Sequence, residues 1–156
     1  MKRTILICTL AAGSVSAADH NFAQPCADIF PRAVAAMTSQ RFEPTLSDSA
    51  GGVLVLRYAG EPLAWAFRVG HADELLAKYA QGGEKMRKKF RGMSFGKATA
   101  TFRSAEGGCH VELNIDVLAL DTKADTSTAA KWVRVEKQLP SSGAAEAEAF
   151  ARMEAK

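Results

Sequence analysis

The most regular stretch of the chain covers residues 109–118, where Cys109, Val111, Leu113, Ile115 and Val117 alternate with His110, Glu112, Asn114 and Asp116. A period of two places the sets on opposite faces of a strand, which predicts a half-buried strand of an antiparallel sheet. Cys109 then points at the core. Residues 53–58, β-branched and aromatic, predict another strand, as do 97–103, where Ala98, Ala100 and Phe102 oppose Thr99 and Thr101. Residues 63–69 alternate Leu63, Trp65 and Phe67 on one face, residues 42–46 give a short strand interrupted by Pro44, and 131–139 a last one.

The period changes in three places. Phe30, Ala33, Val34 and Met37 recur at helical spacing, predicting a first helix with Asp28 as N-cap, Pro31 in its first turn and an end near Ser39 to Arg41. Leu75, Leu76, Tyr79, Met86 and Phe90 suit a helical face that Gly82 and Gly83 interrupt, so two short helices or one kinked element are expected within 71–90. Pro140, Ser141, Ser142 and Gly143 stop the last strand and open a C-terminal helix carrying Ala147, Phe150 and Met153. Residues 18–25 read as a loose polar lead, and 121–128 as a mobile polar loop. Strands in a run with helices at the ends predict an α+β fold: an antiparallel sheet of about five or six strands, packed on one face by the N- and C-terminal helices, with a short helical insertion.

The first residues change the picture. Lys2 and Arg3 precede a short apolar run over 5–12, and Val15 and Ala17 are small residues placed where a signal peptidase excludes bulk. Eight helical residues span about 12 Å, well short of a bilayer's ~30 Å core. The pattern predicts a signal peptide over 1–17, cut before Ala18 (or one residue later, before Asp19), then a single domain over 18–156 in the periplasm or outside the cell. No cysteine follows the apolar run closely enough for lipidation. Cleavage removes two of the 20 basic residues and none of the 17 acidic ones, leaving one net positive charge and no argument for a nucleic-acid partner. Of three cysteines Cys8 leaves with the signal. Cys26 and Cys109 remain, and in an oxidising compartment they predict a disulfide stapling the first helix to the most regular strand.

Three constellations are candidates for chemistry. His110, Glu112, Asn114 and Asp116 line one strand face; His110 with Glu112 has the composition of an acid–base or metal pair, but no companion ligand has recognisable spacing, and the solvated face of a sheet covered on one side is the favoured reading of the row. His71 with Asp73 and Glu74 has the same composition, but acids at a helix start also meet the positive end of its dipole. His20 falls in the polar lead and is expected to be inert. Lys85, Arg87, Lys88, Lys89 and Arg91, with Met86 and Phe90 between them, form a basic cluster suited to anionic lipid headgroups, lipopolysaccharide or an acidic protein surface. No nucleophile elbow, zinc-binding His pair, phosphate loop or dinucleotide fingerprint occurs, and no cofactor or metal site is expected.

Asp28, Ile29 and Phe30 through Met37 and Phe42, then Asp48, Ser49, Ala50, Gly51, Gly52, Val53, Leu54 and Val55, resemble small envelope domains that open with helix, short strand, acidic-glycine turn and strand. The BamC (NlpB) type of outer-membrane-assembly lipoprotein, with helix-grip modules, is one such group. The resemblance covers about 30 residues, and this chain departs from it in lacking a lipidation site and in its cysteine pair. It implies a binding or scaffolding role without catalytic residues. The expected function is an exported, non-enzymatic binding module using the open sheet face or the basic cluster. A small hydrolase or metal-dependent enzyme at His110/Glu112 or His71/Asp73, and a secreted inhibitor inserting a loop such as 121–128, are the alternatives.

Overall fold

A computed structural model describes residues 17–63, 71–86, 90, 92–124 and 132–155, with the backbone alone for His71, Met86, 121–124 and 132–136. Its elements follow the order β1 (Ala18–Phe22), α1 (Cys26–Ser39), β2 (Phe42–Asp48), β3 (Val53–Tyr58), α2 (His71–Tyr79), β4 (Gly92–Ala105), β5 (Gly108–Ala124), β6 (Trp132–Leu139) and α3 (Ala144–Glu154), with a 3-10 turn at Gly83–Met86. All strand pairs are antiparallel, in the order β1-β5-β4-β3-β2, and β6 also pairs with β5. The α+β architecture expected from the periodicities is the one observed.

The alternation over 109–118 is realised residue by residue. Cys109, Val111, Leu113, Ile115 and Val117 are buried, while the polar set between them is half-buried. Against this face pack Leu54 and Leu56 of β3, Ala98, Ala100 and Phe102 of β4, Ile29, Phe30, Ala33 and Met37 of α1, and Ala149, Phe150 and Met153 of α3. Small residues at Ala33, Ala145 and Ala149, all essentially inaccessible, let the helices sit close over the sheet. Leu76 and Tyr79 of α2 join the same core. Of the two expected arrangements the structure has two helical pieces, α2 ending at Tyr79 and the 3-10 turn opening at Gly83, and a Cβ on Gly83 would lie 1.9 Å from the Leu76 carbonyl oxygen.

Several boundaries differ from the sequence reading. Residues 18–22 are not a loose lead but a strand: Ala18, His20 and Phe22 alternate inward, and their backbone fills the edge of β5 from Leu113 to Cys109. Helix α1 starts at Cys26 after Pro25, with Asp28 inside the first turn rather than capping it. Strand β2 continues through Pro44 to Asp48, because a bulge between Pro44 and Leu46 absorbs the proline that cannot donate to the ladder. Strand β4 begins five residues before the expected Lys97, and β5 runs to Ala124, so 121–124 belong to a strand paired with β6 rather than to a loop. Ala147, expected on the buried stripe of α3, is exposed. Residues 64–69 of the expected strand 63–69 and residues 125–128 of the expected loop lie outside the described residues.

At the start of β5, Gly108 meets the end of β1 at close range. A Cβ there would stand 1.8 Å from the Phe22 carbonyl oxygen, so β1 approaches only because residue 108 has no side chain. Gly108→Ala is expected to push β1 off the sheet and lower stability by about 2 kcal/mol in urea titration. An unchanged midpoint would mean that this approach is not tight.

Candidate binding face and the junction at the sheet edge

Cys26 and Cys109 stand at disulfide distance, with Cα atoms 4.8 Å apart. Cys109 is buried at the point where β1 ends opposite β5, and Cys26 opens α1. One covalent link at this point holds the first strand, the first helix and the central strand together.

The face of the sheet turned away from the helices carries the His110 row. His110 Nδ1 lies 2.8 Å from Asn21 Oδ1, and its Nε2 lies 3.7 Å from Glu112 Oε1. Glu112 also accepts from the Thr101 hydroxyl at 3.3 Å and from Arg103 at 3.4 Å. Asn114 donates to Asp116 at 3.5 Å, while its Oδ1 is buried and has no partner. Pairing produces the cross-strand contacts, since Asn21 and Arg103 both stand opposite His110 and Thr101 stands opposite Glu112, while the spacing of two along β5 brings His110 to Glu112 and Asn114 to Asp116. The imidazole and the carboxylate are thus held by cross-strand neighbours. Among the described residues no group of three His, Cys, Asp or Glu side chains has metal-binding geometry.

Further along the same face the polar row gives way to Leu118 and Leu120. Register places Ser94 opposite Leu118 and Gly92 opposite Leu120; Ser94 and Leu120 are buried although they face away from the helices. Here a cleft of about 330 Å³ is lined by Arg57, Tyr58, Gly60, Pro62, Ser94, Phe95, Gly96, Leu118 and Leu120. A bulge between Phe95 and Ala98 places Gly96 beside Asp116 and Leu118, where a Cβ would come within 3.2 and 3.3 Å of them. Several polar groups of the lining have partners within the chain. Ser94 donates to the Phe95 carbonyl at 3.1 Å, the Tyr58 hydroxyl to the Glu61 carbonyl at 3.2 Å, and Arg57 to Glu43 at 2.7 Å. Burial pushes the Tyr58 phenol above its ordinary range, against the opposing effect of the Arg41 charge. The lining thus combines apolar contact at Leu118, Pro62 and Phe95 with the remaining donors of the exposed Arg57 guanidinium.

The other sequence candidates fall elsewhere. Lys85 is exposed on the 3-10 turn and Phe90 is half-buried against the core, while Arg87, Lys88, Lys89 and Arg91 lie outside the described residues. His71 opens α2 and Asp73 follows in its first turn, and the His71 side chain is outside the description. His20, expected to be inert, holds β1 to the C-terminal helix: its Nε2 is 2.7 Å from Glu154 Oε1, and its ring stacks on Phe150 with centroids 5.3 Å apart. On α2, Lys78 pairs with Glu148 at 2.6 Å, and hydrogen bonding to that carboxylate raises the lysine's affinity for its proton.

The feature that the sequence reading missed is Glu146. It is fully buried near the start of α3. Strands β1 and β6 occupy the same edge of β5 in succession; β1 reaches Leu113 and β6 resumes at Val117. The carboxylate enters the interval between them, where the Ile115 N–H donates to Oε1 at 2.9 Å and the Ser141 hydroxyl donates to Oε2 at 2.7 Å. It therefore replaces the strand carbonyl that Ile115 would otherwise lack. Ser141 is itself fixed by accepting the Gly143 N–H at 3.0 Å.

Comparison with protein-family models, curated proteins and solved structures finds no match to this chain.

Proposed function

We propose that the protein is an exported, non-enzymatic binding module that engages an envelope or secreted partner through the outer face of its sheet. The carrying observation is the cleft beside Leu118, lined also by Tyr58, Pro62 and Gly96, on the face turned away from the described helices. Two further features support the reading. His110 and Glu112 are tied to cross-strand neighbours instead of converging on a cavity. The cysteine pair at disulfide distance and a first strand beginning at Ala18 both suit a chain that loses residues 1–17 and matures in an oxidising compartment.

Leu118→Arg puts a charge into the cleft at a half-buried position. Protein with this change is expected to fold normally by circular dichroism and to lose at least about tenfold in affinity for the envelope protein that the parent chain retains on a column. If Leu118→Arg captures the same protein equally well, the cleft is not the binding surface. Replacing Lys85, Arg87, Lys88, Lys89 and Arg91 together by Gln separates the basic cluster from the cleft. If only that variant loses the partner, or loses adsorption to anionic vesicles, the contact belongs to the cluster.

A further inference from the structure

A carboxylate with no exposure to water is costly unless a cation accompanies it. Glu146 has its two hydrogen-bond donors, yet no lysine, arginine or histidine pairs with it among the described residues. The register offers a source of positive charge in the main chain. Ala18 begins β1 opposite Leu113, two residues from Ile115 on the same edge of β5. The side of Ala18 that carries its nitrogen faces the interval occupied by the Glu146 carboxylate. With strands about 4.8 Å apart and a rise near 3.4 Å per residue, the Ala18 nitrogen and the Ile115 nitrogen are roughly 6 Å apart. The carboxylate already lies 2.9 Å from the second of these.

We infer that the bond between Ala17 and Ala18 is a processing site whose cleavage creates the missing cation, the Ala18 α-ammonium, as partner to Glu146; this rests on the export reading proposed above. The chemistry is hydrolysis by a signal peptidase. Water adds across the peptide bond, its hydroxyl going to the Ala17 carbonyl carbon and its proton to the Ala18 nitrogen. The new carboxylic acid gives up its proton and the new amine takes one. Before the cut, the Ala18 nitrogen is a neutral amide with one N–H. Afterwards it carries a full charge and three protons, enough to keep a ladder bond and still reach the carboxylate. Ala18 is half-buried against the core, so the peptidase must act before β1 docks, and the cut then favours docking. Removal of the leader thus becomes the step that completes the sheet edge.

The test uses the full chain, expressed with its own residues 1–17 in an exporting host, beside a chain with Gly-Ser inserted between Ala17 and Ala18. Each is made with Glu146 and with Glu146→Gln, and every mature N-terminus is read by mass spectrometry. In the Glu146 background the inserted residues are expected to raise the unfolding equilibrium constant roughly tenfold. In the Glu146→Gln background the two N-termini should unfold alike. An equal penalty in both backgrounds, or none in the first, overturns the ion pair while leaving export intact. A mature chain beginning at Asp19 also overturns the pairing. A chain that retains residues 1–17 overturns the export reading itself.

Discussion

Reducing the link between Cys26 and Cys109, or replacing both residues by Ser, is expected to cost up to about 4.5 kcal/mol, the chain-entropy value for a loop of this size. The two residues are 83 positions apart, so the link removes a large share of the unfolded chain's freedom. The native state loses more than a constraint. Cys109 is buried beside Phe22 at the last pair of β1, and Cys26 begins α1 four residues after that strand. Once the link is broken, β1 is held by five ladder positions and by the contacts of His20 and Phe22 with α3. Urea unfolding with and without reductant measures the loss, and amide exchange over 18–22 locates it. Protection of β1 should fall before that of β3 and β4. A reduced protein as stable as the oxidised one would show that the cysteines are incidental to this fold.

Glu146→Ala is expected to destabilise the protein by about 2–4 kcal/mol, because the Ile115 N–H and the Ser141 hydroxyl both lose their acceptor away from water. The recovered cost of burying the carboxylate offsets part of this. Glu146→Gln keeps an acceptor for Ile115 and should lose about half as much. Hydrogen exchange at the Ile115 amide reads the contact directly. Protection should collapse in the Ala variant and persist in the Gln variant. Equal effects of the two substitutions would mean that side-chain volume, and not hydrogen bonding, holds the junction.

Both predictions concern places where sequence pattern conveys different amounts. The faces of β5 were legible because nine residues, 109–117, alternate without exception, and the same alternation aimed Cys109 at the core. The cysteine pair followed from the two thiols left after the leader, and the direction of Cys109 with the position of Cys26 ahead of an amphipathic helix agreed with it. Strand β1 was not read, since Ala18, His20 and Phe22 give only three inward positions and two of them are not strongly apolar. What makes it a strand is the vacant edge of β5, a tertiary fact. Glu146 was hidden for a related reason. A glutamate three residues after a helix N-cap is the pattern of a capping box, where the carboxylate stays at the surface and turns back on its own helix. Here Gly143 is the N-cap, and the carboxylate turns inward to a strand 31 residues away in sequence. The cleft was likewise out of reach of the pattern, since it takes Ser94, Gly96 and Leu118 together across a bulge that no local signal announces.

The strand order carries a consequence for how the chain reaches this state. Strands β2, β3, β4, β5 and β6 lie beside one another in the order in which they are synthesised, except for the insertion between β3 and β4, whereas β1 must find a partner about ninety residues downstream. Neighbouring hairpins close small loops at low entropic cost, and the distant pairing comes at a higher one. The meander is therefore the scaffold that forms early, and the N-terminal strand, although first out of the ribosome, is the last ladder to zip. Until it does, the upper half of the β5 edge is an open template, which gives the oxidation of Cys26 and Cys109 the part of a kinetic seal against pairing with a neighbouring chain.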